Sequence, residues 1–225
     1  MRILGLIFTL CLLSSSAFAR FNWEGASWEK IKVEDGISVY GKAFPDSNVK
    51  GVGGAALIDA SVEKIIWVLM DHEHKSQWVD RIMMSKTVEE PTPLQSIQYA
   101  TFGMPFPMSD RDFLYSYAFT YDKSQHMIEV DVKSVVHSSQ PESATIGVRG
   151  DIIRGKFRLY PQKGQKKTYV EVEYLADPKG YLPSWVVNLV QKNWPYKTLK
   201  GLQTQVKKDF VTAHQIPKIL DVPQL

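Results

Sequence analysis

The sequence predicts an α+β domain in which a curved nine-stranded antiparallel sheet wraps around a long C-terminal helix. Three observations predict it. Period-two alternation recurs in nine short runs separated by turn residues. Helical periodicity appears in two places, after the third strand-like run and at the end of the chain. The resulting order is three strands, one or two helices, six strands and a final long helix, which implies an antiparallel sheet curled around a helix. Composition agrees: 225 residues, 44% hydrophobic and 23% charged, is the profile of one ordinary globular domain.

Residues 1–19 stand apart from that domain. Arg2 is followed by an apolar run from Ile3 to Leu13, three serines and Ala17-Phe18-Ala19, the pattern of a secretory signal peptide with its small-x-small cleavage site. The run is too short for a bilayer, which takes roughly 20 residues. The expectation is therefore a signal at 1–19 and one domain over 20–225. Cys11, the chain's single cysteine, lies in the signal, so no disulfide is expected in the exported form. A short signal, no disulfide and no Asn-x-Ser/Thr acceptor point to a bacterial periplasm, with secretion as the alternative. The charge, 27 Lys+Arg against 24 Asp+Glu, is too even to suggest nucleic acid as a partner.

The first strands form a hairpin: Ile31 and Val33 alternate with lysines and Glu34, Asp35-Gly36 turns, and Ile37, Val39 and Gly41 resume. A third strand runs from Val49 to Ile58, where Gly51, Gly53 and Gly54 suggest a bend or bulge. Val62, Ile65, Ile66 and Leu69 then share a helical face behind Ser61. Six strands follow, at about 84–90, 95–103, 111–122, 126–137, 146–160 and 167–176. Pro183 opens a helical stretch running to about Ala213, and Pro195 is expected to kink or break it beside Trp194.

On the strand at 111–122, Phe113, Tyr115, Tyr117 and Phe119 share one parity, which is assigned to the interior. Ile128, Val130 and Val132 alternate with charged neighbours, as do Val170, Val172 and Tyr174 with Glu171 and Glu173. These residues either fill a solid core or line a cavity. Periodicity does not separate the two, but any cavity would be apolar, with tyrosine hydroxyls and few charges, and would suit a lipid.

Two runs carry a family resemblance. Pro107-Met108-Ser109-Asp110-Arg111-Asp112-Phe113 opens a strand, and DPKGYLPSWVVN, Asp177 to Asn188, joins the last strand to the last helix. Together with Trp78 after the first helix, in this order and spacing, they resemble the signatures of START lipid-transfer domains, named for steroidogenic acute regulatory protein, over roughly residues 23–215. The resemblance implies a helix-grip fold holding one lipid in a tunnel, gated by the last helix and by the loop from Gly103 to Asp110. In that frame Gln98, Phe102, Phe113, Tyr115, Tyr117, Val130, Val148, Val172, Val186, Val190 and Trp194 contact the ligand. Met104, Phe106 and Met108 either cap the core or dip into a bilayer and open the gate. Gln98 and Tyr117 stand where some sterol-binding members place an acid and a base. Fatty acids, phospholipids, carotenoids and sterols all remain candidates.

Other candidate chemistry is weaker. Asp71-His72-Glu73-His74 and Asp80 lack the helical i, i+4 histidine spacing of metalloproteases and read as solvated surface. Asp110, Arg111 and Asp112 read as a structural ion pair at a strand start. No phosphate loop, Cys-His pair or Gly-x-Ser-x-Gly elbow is present. Neither cofactor nor metal is expected. The sequence thus points to a monomeric, non-enzymatic lipid-binding protein with transient membrane contact. The alternative is a cyclase or hydrolase on the related fold.

Overall fold

The structure, a computed structural model, describes residues 28–44, 49–140 and 145–223, the side chains of 184 and 187–192 excepted. The expected signal at 1–19 lies outside the described residues. β1 (Glu29–Glu34) and β2 (Ile37–Lys42) form the hairpin. Asp35 and Gly36 have φ of 50° and 74°, the left-handed pair that a two-residue type I′ turn requires.

β3 (Gly51–Ile58) pairs in unbroken register with β2 and with the last strand, so its glycines make no bulge. They serve close approach instead. A Cβ on Gly54 would lie 2.8 Å from Leu199 Cδ1 and 3.1 Å from Pro195 Cβ, and the final helix comes down on the strand there.

α1 (Val62–Met70) buries Val62, Ile65, Ile66 and Leu69, the face expected from their spacing. A 3₁₀ turn at Lys75–Gln77 follows. Then come β4 (Ile82–Thr92), β5 (Gln95–Phe102), β6 (Arg111–Asp122) and β7 (Met127–Ser134). The run expected as one strand at 146–160 is two. β8 (Val148–Arg149) lies parallel to β6, and β9 (Asp151–Pro161) is antiparallel to β7 and to β10 (Thr168–Asp177). The break falls at Gly150, where the ring of Phe113 occupies the space a side chain would need. The sheet order is β1-β2-β3-β10-β9-β7-β6-β5-β4, with β8 beside β6. One sheet thus carries all ten strands, antiparallel except for the β6–β8 pair, an α+β helix-grip arrangement.

The long C-terminal helix, α2 (Ser184–Gln205), runs through Pro195 without a break. It ends at Gln205 rather than near Ala213. Its last turn tightens, with the Lys207 and Lys208 amides donating to Thr204 and Gln205 carbonyls. Phe210 then leaves the helical line to stack on His74 (centroids 4.3 Å) and approach Trp67 at 5.8 Å. The second half of α2 is firmly held. Leu199 and Leu202 are fully buried, Gly201 presses on the Trp78 backbone, Lys200 donates to Asp35 at 2.8 Å and Lys197 to Asp80 at 3.2 Å. A short α3 (Ile216–Ile219), not expected from the pattern, buries Ile216.

The interior parity holds: Phe113, Tyr115, Tyr117, Phe119, Ile128, Val130, Val132, Val170 and Val172 are all buried. The opposite face of β10 differs from expectation, since Glu171 and Glu173 are each only 1% exposed. Neighbouring β9 shelters them. Arg158 donates to Glu173 at 2.7 Å and to Glu129 at 3.1 Å, and Tyr160 donates to Glu171 at 3.3 Å.

Candidate functional site: an internal apolar cavity

A cavity of about 200 Å³ lies against the strands, α2 and the loop after α1. Its walls are mainly apolar, aromatic and aliphatic side chains together. Phe113, Tyr115 and Tyr117 come from β6, Tyr174 from β10, Trp194 from α2 and Trp78 from the loop. The alternation of β6 delivers three of these rings to one side, and two ring pairs at the wall meet edge to face. Tyr174 and Trp194 lie 5.1 Å apart at 70°, Phe102 and Phe113 5.4 Å apart at 85°. Burial holds the phenols of Tyr115, Tyr117 and Tyr174 neutral well above their ordinary range.

Of the residues expected to contact a ligand, Phe102, Phe113, Tyr115, Tyr117, Val186 and Trp194 line this cavity, and so does Met104 of the loop. Val130 and Val172 do not. They are fully buried in the packed core with Ile65 and Ile66 of α1. No α1 residue lines the cavity, which reaches Trp194 instead. Val148 sits half-buried on β8, off the lining. The side chain of Val190 lies outside the described residues. Gln98 is fully buried but absent from the walls. Its Nε2 donates to Ser96 Oγ at 3.0 Å, and its Oε1 accepts from Lys75 at 3.2 Å.

Lys75 is the residue the sequence reading missed. It is 2% exposed and lines the cavity. Its Nζ donates to Leu69 O at 2.9 Å, serving an orphan carbonyl at the end of α1, and lies 5.3 Å from the Tyr117 ring centroid. Desolvation pulls its pKa down from 10.5 to about 7, with Asp71 acting weakly in the other direction. It sits in a charged run that reads as surface. Only the 3₁₀ turn, which points it back beneath Tyr117, distinguishes it from its exposed neighbours.

The Asp110-Arg111-Asp112 run is structural, though not as a pair within itself. Arg111 donates through Nε to Pro178 O at 2.9 Å, through Nη2 to Lys179 O at 3.0 Å and through Nη1 to Ser109 O. Asp112 pairs with Arg149 at 3.1 Å, and Asp110 accepts from the Met104 amide at 2.9 Å. Arg111 therefore ties the loop from 103 to 110 to the turn that leads into α2.

The histidines of the 71–80 run have separate partners. His72 bonds Ser85 Oγ at 2.9 Å, and burial lowers its pKa to about 4. His74 bonds Asp71 at 2.8 Å.

At the loop, Met104 is half-buried at the cavity, Met108 is half-buried and Phe106 is 94% exposed. Across the Arg111 tie, Tyr181 is 89% and Trp185 53% exposed. Large apolar side chains thus stand free on both segments.

Comparison with known proteins gives a consistent result. The family described as START domain matches residues 18–208. Human phosphatidylcholine transfer protein is 28% identical over 189 residues, spanning 79% of this chain and 83% of that protein. An uncharacterized protein of Pseudomonas aeruginosa is 27% identical over 185 residues, spanning 80% and 87%. Among solved structures, the STAR-related lipid transfer protein of Xanthomonas axonopodis matches with a TM-score of 0.67 at 24% identity, covering 80% of this chain and 99% of that one. Human STARD10 matches at 0.70 and 23%, covering 81% and 74%. At these identities the structural matches show a shared fold.

Proposed function

The chain belongs to the START domain family, and from that premise we propose that it binds one lipid in the cavity and carries it between membranes without covalent chemistry. The observation that carries this reading is the wall itself: apolar side chains, aromatic and aliphatic, with four cations but no Asp, Glu or His among the described lining residues. Such a surface replaces the hydrocarbon of a bilayer. Burial is worth about 0.8 kcal/mol per methylene, so a sixteen-carbon chain faces roughly 12 kcal/mol on leaving a membrane for water. A protein that shields the chain in transit lowers that barrier. Its name says that human phosphatidylcholine transfer protein does this for a phospholipid.

Two further parts belong to the proposal. Phe106, flanked by Met104 and Met108, enters the bilayer together with Tyr181 and Trp185. Their exposure gives an apolar patch that a membrane would cover. The chain is exported by its first 19 residues and works as a monomer across a periplasm, a reading supported by Arg2, the Ile3–Leu13 run and Ala17-Phe18-Ala19.

One observation favours an enzyme instead. A buried lysine with a pKa near 7 is the kind of group that serves as a base or Schiff-base nucleophile. Native mass spectrometry of the purified protein, followed by organic extraction, separates the two. A stoichiometric lipid released unchanged is the carrier result. An empty protein that also takes up no lipid from vesicles would overturn it.

A further inference from the structure

If the cavity holds a lipid, as just proposed, its charges restrict which one. Four cations line it, Lys50, Lys75, Arg81 and Arg111, and no carboxylate does among the described residues. Two of the four are committed elsewhere. Arg111 spends its three nitrogens on backbone carbonyls, and Arg81 faces Gly103 O at 3.4 Å and Asp80 at 3.8 Å. Lys50 is exposed. Lys75 is the buried one.

An ammonium has three donors. Lys75 uses two, on Leu69 O and Gln98 Oε1, and among the described residues no carboxylate lies within 4 Å of its Nζ. The acid nearest in sequence, Asp71, is engaged by His74 and by the amides of Glu73 and His74. His72, the other titratable group beside Lys75, faces Ser85 and is held neutral by burial, so it supplies no counter-charge. Tyr115 and Tyr117 are neutral phenols. A buried cation left with a free donor and no counter-ion is costly, and an oxyanion arriving with the ligand would supply both. Gln98, held in turn by Ser96, fixes the Nζ against the wall, so the site is built before any ligand arrives.

We propose that the cavity selects a single-chain lipid carrying a carboxylate, seated with its head on Lys75 Nζ and its chain along Tyr117, Tyr174 and Trp194. Lysine is a compact point charge suited to one acceptor oxygen, whereas bidentate recognition of phosphate favours arginine. The volume agrees. About 200 Å³ is below the roughly 300–1,000 Å³ of ordinary small-molecule sites, so one chain demands far less widening than two.

The test uses three probes on the delipidated protein, titrated calorimetrically: oleate, oleyl alcohol and dioleoyl phosphatidylcholine. Oleate and oleyl alcohol share a chain and differ only in the head. Oleate is expected to bind about tenfold or more tightly than the alcohol, the usual scale of a charged hydrogen bond, and phosphatidylcholine is expected not to displace it. Lys75→Met should abolish the preference of oleate over the alcohol, while Lys75→Arg keeps it. Thermal melting checks that both variants fold, and the comparison on the unmodified protein needs neither. Equal binding of oleate and alcohol, an unaffected Lys75→Met, or displacement of oleate by phosphatidylcholine each overturns the carboxylate while leaving lipid binding in place. Binding of none of the three overturns both.

Discussion

Raising the pH from about 7 toward 10 is expected to stabilise the ligand-free protein, because Lys75 is buried where its charged form is penalised. Its pKa falls from 10.5 to about 7 on folding. Between those values the unfolded chain binds the proton and the folded chain does not, so stability rises with pH, by up to about 1.4 kcal/mol per unit. Below pH 7 both states are protonated and the penalty is present in full. The rise is bounded on the alkaline side. Above about pH 10 the unfolded chain ionises tyrosines that burial keeps neutral in the fold, Tyr115, Tyr117 and Tyr174 among them, and stability turns down. Below 6.5 the unfolded chain protonates its histidines, while His72 resists until about 4, so stability falls again on the acid side. The assay is urea unfolding at half-unit steps of pH on the unmodified protein and on Lys75→Met. The slope is the readout to trust, since Lys75→Met also strips Leu69 O and Gln98 of a partner, at about 1–3 kcal/mol each, and its net stability at pH 7 combines opposing effects. A rise across the window that disappears in Lys75→Met is the expected result. The same slope in both proteins would refute the account of Lys75 as a desolvated cation.

Three further outcomes are expected. Gly201→Ala gains about 1 kcal/mol of helix propensity but drives a Cβ into the Trp78 backbone, and overpacking of about 1–3 kcal/mol should outweigh it; thermal melting should show a lower Tm, whereas a raised Tm would mean that α2 is not seated on the loop. Arg111→Met removes three bonds to carbonyls and should cost about 3 kcal/mol in urea unfolding. Phe106→Asp, at a side chain 94% exposed, should leave stability within about 0.5 kcal/mol yet slow vesicle-to-vesicle transfer about tenfold, as loss of a partitioning phenyl ring implies; unchanged transfer would remove the loop from the membrane contact.

Much of the fold was legible because alternation and turn chemistry are local. Asp35-Gly36 announces its turn, and the β6 parity announces its inner face. What failed was decided by neighbours distant in sequence. Glu171 and Glu173 alternate as solvated residues do, but Arg158 on the adjacent strand closes over them. The β3 glycines look like a bulge until Pro195 and Leu199 settle on Gly54. The helix end was misplaced for the same reason, since Phe210 finds its partners on α1 and His74 rather than along its own stripe. At the cavity, aromatic residues on one strand face could be read together, while Val130 and Val172 could not be told from lining residues by periodicity. Lys75 was hidden by its charged surroundings, because no sequence pattern says which lysine of a polar run turns inward.

The tie at Arg111 also changes what the two distant sequence signatures mean. Arg-Asp-Phe and Asp-Pro-Lys-Gly are the two halves of a single interaction, one written as a side chain and the other as a backbone shape. The acceptors are the carbonyls of Pro178 and Lys179, aimed by a turn in which Lys179 and Gly180 have φ of 52° and 66°. The first half is therefore spelled by chemistry, since Arg111 alone brings three donors in a fixed plane. The second is spelled by conformation, because the glycine alone takes its positive φ without strain. A sequence that keeps the arginine but loses the turn has kept a word whose sentence no longer parses.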